Sequence, residues 1–143
     1  MDTASQHEIF GPVLALILLT WVVWAYMYAK RIPFIRSLGL EPNQITPAEL
    51  VRRSPPAVSN PSDNLKNLFE VPVLFYALAL YLFVSGQVDT LYVLGCWAYV
   101  LLRVLHSAVH CTVNIVMLRF VLYAISSVIL LFLTTRAAVA YFM

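Results

Sequence analysis

Apolar residues run almost unbroken from Phe10 to Ala29, with Gly11 and Pro12 the only helix breakers in the run. About 20 such residues, wound as a helix, cross the ~30 Å hydrocarbon layer of a bilayer. Asp2, His7 and Glu8 precede the run and no A-x-A site follows it. It is therefore expected to stay as a span and not to be cleaved as a signal peptide. Residues 30–66 change character, holding six of the nine Lys and Arg and six of the eight Pro. The prolines predict an irregular segment, because each removes a backbone donor and crowds the preceding turn. Within it, Thr46-Pro47-Ala48-Glu49 reads as a helix start, with Thr as cap, Pro in the first turn and Glu at the third position. A second span is expected over 68–84, continuous with a helix beginning near Ser62 or Asp63 and kinked by Pro72. Ser85-Gly86-Gln87 is a turn. A third span follows over 91–110 and a fourth over 115–135, with Tyr141 and Phe142 as interface anchors. The later connections are short enough to make helix hairpins.

Composition turns this pattern into a class. The chain has 143 residues, 62% hydrophobic and only 11% charged, where a soluble domain carries about 25% charged residues. A mean hydropathy of +0.83 cannot be hidden in a soluble core of this size. That excludes a soluble enzyme, a disordered tail and a nucleic-acid binder. The expected fold is an all-α integral membrane four-helix bundle, a single membrane domain over 1–143. The basic residues gather between spans one and two, and the positive-inside rule puts that loop, residues 30–66, in the cytoplasm with both termini on the other side. Cys96 and Cys111 fall on the third helix about 22 Å apart, too far to bridge, and read as small buried hydrophobes. No internal repeat, zinc spacing or Gly-rich phosphate loop is present.

Ionisable residues inside spans are costly unless paired, so each is a candidate for function. Asp63, Asn67 and Glu70 follow an i, i+4, i+7 spacing that shares one helix face. Glu70 can serve a site or simply favour the helix N-terminal dipole. Arg103, His106, His110 and Asn114 fall within an arc of about 80° on the third helix. Arg103 is too deep to snorkel, so it belongs either to a site or to an ion pair with Glu70. His106 and His110 have metal-ligand spacing without a third ligand. Arg119 and Tyr123 sit one turn apart on the fourth helix, with Ser126 on the same face. Arg119 is close enough to the membrane surface to snorkel, and Arg136 near the far end is expected to do so. Together three helices aim polar groups at one depth. The cationic sum suits an anionic ligand carrying carboxylates, and an Arg beside a thiol lowers its pKa from about 8.5. A proton-coupled exporter needs a carboxylate near mid-membrane, and Glu70 is too shallow for that.

These stretches resemble the MAPEG family, the membrane-associated proteins in eicosanoid and glutathione metabolism. Asn67-Leu68-Phe69-Glu70-Val71-Pro72 matches the family's N-x-x-E pattern opening helix two. Arg103-Val104-Leu105-His106 matches R-x-x-H on helix three, and Arg119-Phe120-Val121-Leu122-Tyr123 matches R-x-x-x-Y on helix four. The chain looks like the bacterial branch, which implies an inner-membrane location. The resemblance implies a homotrimer of four-helix bundles that binds glutathione as cosubstrate between subunits. Arg119 would stabilise the glutathione thiolate, which attacks a lipophilic electrophile arriving from the lipid bilayer. Asn67, Glu70, Arg103, His106, His110 and Tyr123 would line the tripeptide site, and Lys30 or Arg31 would meet a glutathione carboxylate. No metal is implied. Three positions depart from the pattern. Asp63 stands where several glutathione-using members have Arg, His110 where many have Tyr, and Phe120 where prostaglandin-type members offer a hydroxyl. Since the family includes a non-enzymatic lipid-binding member, the alternative is a lipid-binding or accessory subunit of another membrane enzyme.

Overall fold

A computed structural model describes residues 5–39 and 46–143, so Asp2 and the centre of the first loop lie outside it. A 3₁₀ turn over Gln6–Ile9 leads into helix α1, Phe10–Ser37. The helix thus continues two turns beyond the apolar run. Pro33 inside it removes one backbone bond, and the flanking Lys30, Arg31, Ile32 and Phe34 carry no other helix breaker. Helix α2, Pro47–Arg53, starts on the Thr46 side chain, which accepts from the Glu49 backbone N–H at 3.2 Å. Helix α3, Pro56–Asn67, begins earlier than the apolar pattern predicts. Pro55 and Pro56 occupy the cap and first helical positions, where a missing N–H costs nothing. Pro61 is accommodated inside it.

Helices α3 and α4, Val71–Val84, are separated by a turn at residues 68–70. A continuous kinked helix was the expectation; the backbone breaks instead, at Glu70, with φ −93° and ψ −103°. Pro72 at the start of α4 cannot donate to the Leu68 carbonyl, and the chain turns there rather than bending around the defect. Helix α5, Thr90–Cys111, is capped by Asp89, whose carboxylate accepts from the Tyr92 N–H at 3.0 Å. Helix α6 is Val116–Phe142. The α4–α5 turn uses Gly86 at φ +68°, a left-handed conformation that glycine adopts without strain.

Among the described residues four stretches are long and apolar enough to cross a membrane: Gln6–Ser37, Pro56–Val84, Thr90–Cys111 and Val116–Phe142. The protein is an all-helical integral membrane protein. The most extensive packing joins α5 to α6, and α1 lies against α3 and α5. Leu16, Phe75, Leu82, Cys96, Tyr99 and Leu133 are wholly buried at the centre of the bundle. Gly95 lets α5 and α6 approach closely: a Cβ there would lie 2.8 Å from a Leu133 methyl. Small residues at such crossings are how membrane helices gain dispersion contact. At one end of the bundle Arg136 makes a bidentate pair with Asp89, at 2.5 and 3.0 Å, and its guanidinium lies 4.2 Å from the Tyr92 ring centre. Arg136 is expected to snorkel from this end of its helix, and Asp89, on the turn before α5, is the group it reaches.

Candidate functional site

The opposite end of the bundle collects polar groups. Helix α5 presents Arg103, His106, Ser107 and His110 on its buried face, as the i, i+3, i+7 spacing dictates. Asn114 falls outside the helical stripe predicted for it, because α5 ends at Cys111. It lies in the turn to α6 with φ +48°, where Asn is among the few residues tolerated. The turn folds it back toward the same polar cluster.

Arg119, in the first turn of α6, is the hub. Its Nη1 donates to His110 Nε2 at 2.6 Å and to Asn114 Oδ1 at 2.8 Å. A guanidinium only donates, so His110 Nε2 is an acceptor and its proton is on Nδ1. His106 Nδ1 donates to the Arg119 carbonyl at 2.8 Å. A carbonyl only accepts, which leaves His106 Nε2 as a free lone pair. Both His106 Nε2 and His110 Nδ1 are buried without a hydrogen-bond partner among the described residues.

A cavity of about 330 Å³ opens beside these groups. It is lined by Asp63 and Asn67 of α3, His106 and His110 of α5, and Arg119, Phe120 and Tyr123 of α6. A volume of that order suits a small organic ligand. Asp63 is held by Lys66 at 2.9 Å, so its charge at the rim is offset locally, although both side chains are half exposed.

Arg103 lies deeper, only 1% exposed. Its guanidinium is 4.4 Å from the Tyr123 ring centre and 5.2 Å from that of Tyr99, and it donates to Ser127 at 3.4 Å. Among the described residues its Nε and Nη1 have no hydrogen-bond partner, nor has the buried Tyr99 hydroxyl. The ion pairs among the described residues are Arg53–Glu49, Lys66–Asp63 and Arg136–Asp89. Arg103 and Arg119 are in none of them. Two guanidiniums inside one bundle, oriented by neutral groups and rings, create a cationic interior open to an anion.

The structure brings together Asn67, His106, His110, Arg119 and Tyr123 around the cavity, with Arg103 behind Tyr123. Three further residues stand apart in the single chain. Glu70 is exposed and does not meet Arg103, because α3 ends at Asn67 and the following turn takes Glu70 off the face shared by Asp63 and Asn67. Lys30 stacks over Tyr26 at 5.4 Å. Arg31 faces Leu50, Ser54 and Asp63 in a narrow cleft between α1, α2 and α3. Among the described residues no cluster of three His, Cys, Asp or Glu stands in metal-binding reach. Helix α3 adds residues that the motifs do not single out. Asn64, wholly buried, accepts from Ser107 at 3.3 Å and donates to Cys111 Sγ at 3.4 Å. Asn60 accepts from Asn114 Nδ2 at 3.1 Å. Two Asn four residues apart on one face of an amphipathic helix were the signal available for them.

Comparison with curated proteins and with solved structures returns no match. The sequence profile of the MAPEG family matches residues 9–139, nearly the whole chain and all four apolar spans, and the protein with this cationic cavity belongs to the MAPEG family.

Proposed function

We propose that this protein is a membrane glutathione transferase or peroxidase, binding glutathione at the Arg119 cavity and joining its thiolate to lipophilic electrophiles. One observation carries the reading: Arg119 lines the cavity and, among the described residues, is held by neutral acceptors and paired with no carboxylate. The residues fit an anionic tripeptide. Among the described residues, Arg119 and Arg103 supply unpaired cationic charge and His106 Nε2 and His110 Nδ1 are buried groups without partners, while Asn67 adds an amide at the rim. When bound, glutathione supplies the sulfur nucleophile. Arg119 stabilises the anionic sulfur electrostatically, the preorganised guanidinium costing no rearrangement as charge develops. His106 and Tyr123 line the cavity beside Arg119. An apolar groove lined by Ile17, Trp21, Trp24, Leu65, Leu68 and Phe69 suits a partner drawn from the bilayer.

The same reading carries the trimer, with the site between copies and Glu70 and Lys30 or Arg31 completing it. It also carries an inner-membrane location with the basic end of the bundle in the cytoplasm. A second reading is favoured by Phe120, which is 61% exposed at the cavity's lip: a binding or accessory protein with the same fold and no turnover.

The test is conjugation of a model electrophile by purified protein in detergent or lipid. Arg119→Ala is expected to lower the rate about a hundredfold and to abolish the ultraviolet signature of bound thiolate. Equal conjugation by Arg119→Ala and wild type removes the proposed role. Glutathione binding without turnover favours the accessory reading.

A further inference from the structure

We infer that Asn114 is a positioning residue for Arg119, holding the guanidinium in place while leaving its charge free for an anion. This rests on the glutathione reading above and names a part that the family motifs do not contain. Two separate observations meet at Asn114. Its backbone takes φ +48°, and its amide N–H donates to the Val109 carbonyl at 2.7 Å, closing the end of α5. Its side chain spans two helices, Oδ1 accepting from Arg119 and Nδ2 donating to Asn60.

The chemistry of the partners sets the amide's orientation. Arg119 can only donate, so Oδ1 must face it. Nδ2 then points to α3, where Asn60 Oδ1 receives it at 3.1 Å. The amide cannot flip without facing two donors toward each other. Helix α3 is therefore coupled through one side chain to the guanidinium at the cavity wall.

Asn is suited to this position by charge as well as shape. The left-handed region is open to Gly, Asn and Asp. Gly makes the turn but holds nothing. Asp makes the turn and accepts from Arg119, but as a carboxylate it forms an ion pair and cancels the charge a thiolate needs. Asn alone of the three both accepts and leaves the cation unpaired. His110 repeats the logic, accepting through a neutral imidazole.

Two variants separate this role from the turn. In full-length protein saturated with glutathione, thiol ionisation is followed by thiolate absorbance across pH, with kcat and KM for a model electrophile measured alongside. Asn114→Asp should move the ionisation midpoint up by about one pH unit or more, with kcat near neutrality down about tenfold. Asn114→Gly keeps the turn and the charge. It should lower kcat several-fold, with a smaller shift of the midpoint than Asp produces. All three residues permit the same turn, so a purely structural role predicts the same midpoint for all three. An unshifted midpoint in Asn114→Asp overturns the inference, and so does a wild-type kcat in Asn114→Gly. Wild-type protein that binds glutathione but never ionises it overturns the functional reading itself, and this inference with it. That outcome is seen before any variant is compared.

Discussion

Asp89 does two jobs at the far end of the bundle from the cavity. It caps α5 through the Tyr92 N–H and it grips Arg136 with both oxygens. The Arg136 hydrogen bonds hold its carboxyl below the usual carboxylate range, with the Tyr92 N–H adding to the effect and partial burial opposing it. A carboxylate with a lowered folded pKa stabilises the fold above its unfolded value of about 3.9, and that stabilisation is lost as pH falls through the folded value. Thermal unfolding in detergent should therefore show a component of stability that disappears below about pH 4. Asn at position 89 retains a capping oxygen and loses only the ion pair. Asp89→Asn should cost about 1 kcal/mol at neutral pH, because the pair is partly exposed, and should flatten the acid limb. An unchanged acid limb in Asp89→Asn would place the effect on another group. Arg136 shows the reach of sequence reasoning for single residues. Its position near a helix end suggests snorkelling, but the partner sits 47 residues away on a turn whose placement follows from packing and not from local pattern. Arg119 and its histidines were legible, because helical spacing alone puts His106 and His110 on one face. The hydrogen bonds of Asn114 were not, because its use depends on where α5 ends.

At the scale of helices, hydropathy located all four spans, since a bilayer demands long apolar runs and little else produces them. Helix ends were less legible. Helix α1 outlasts its apolar run, α3 starts at a proline pair, and α3 and α4 part at Glu70. Each boundary depends on whether a proline falls at a first turn or an interior, a distinction that composition does not make. Helix contact was not legible either, and Gly95 is the case in point. No local pattern marks it, yet it is where α5 meets Leu133 of α6, a side chain with no exposure. Gly95→Leu should force that contact apart and cost about 1–3 kcal/mol, measured as reduced resistance to denaturant in detergent. The same helix pair carries His106, His110 and Arg119, so glutathione affinity should fall alongside. Full stability in Gly95→Leu would show that α5 and α6 cross elsewhere.

For the whole molecule, the surface of the single chain poses a problem that the proposed trimer answers. Glu70 is exposed beside Phe69, Val73 and Leu74, which are 64%, 50% and 62% exposed. Such a patch is ordinary against lipid, but a carboxylate within it is costly. Arg103 is buried and pairs with no carboxylate among the described residues. In the proposed trimer, an assembly that covers the α4 face would remove Glu70 from lipid, and the proposed glutathione between copies would supply an anion to the cationic interior. Native mass measurement from bilayers should give three chains. Leu74→Arg, placed in the middle of this face, should leave helical circular dichroism unchanged and release single chains, with the thiolate signature lost along with the assembly. Single chains in the wild type would leave Glu70 facing lipid and confine the site to one bundle. Trimers that survive Leu74→Arg intact would instead put the interface on another face, and Glu70 would need a partner from elsewhere.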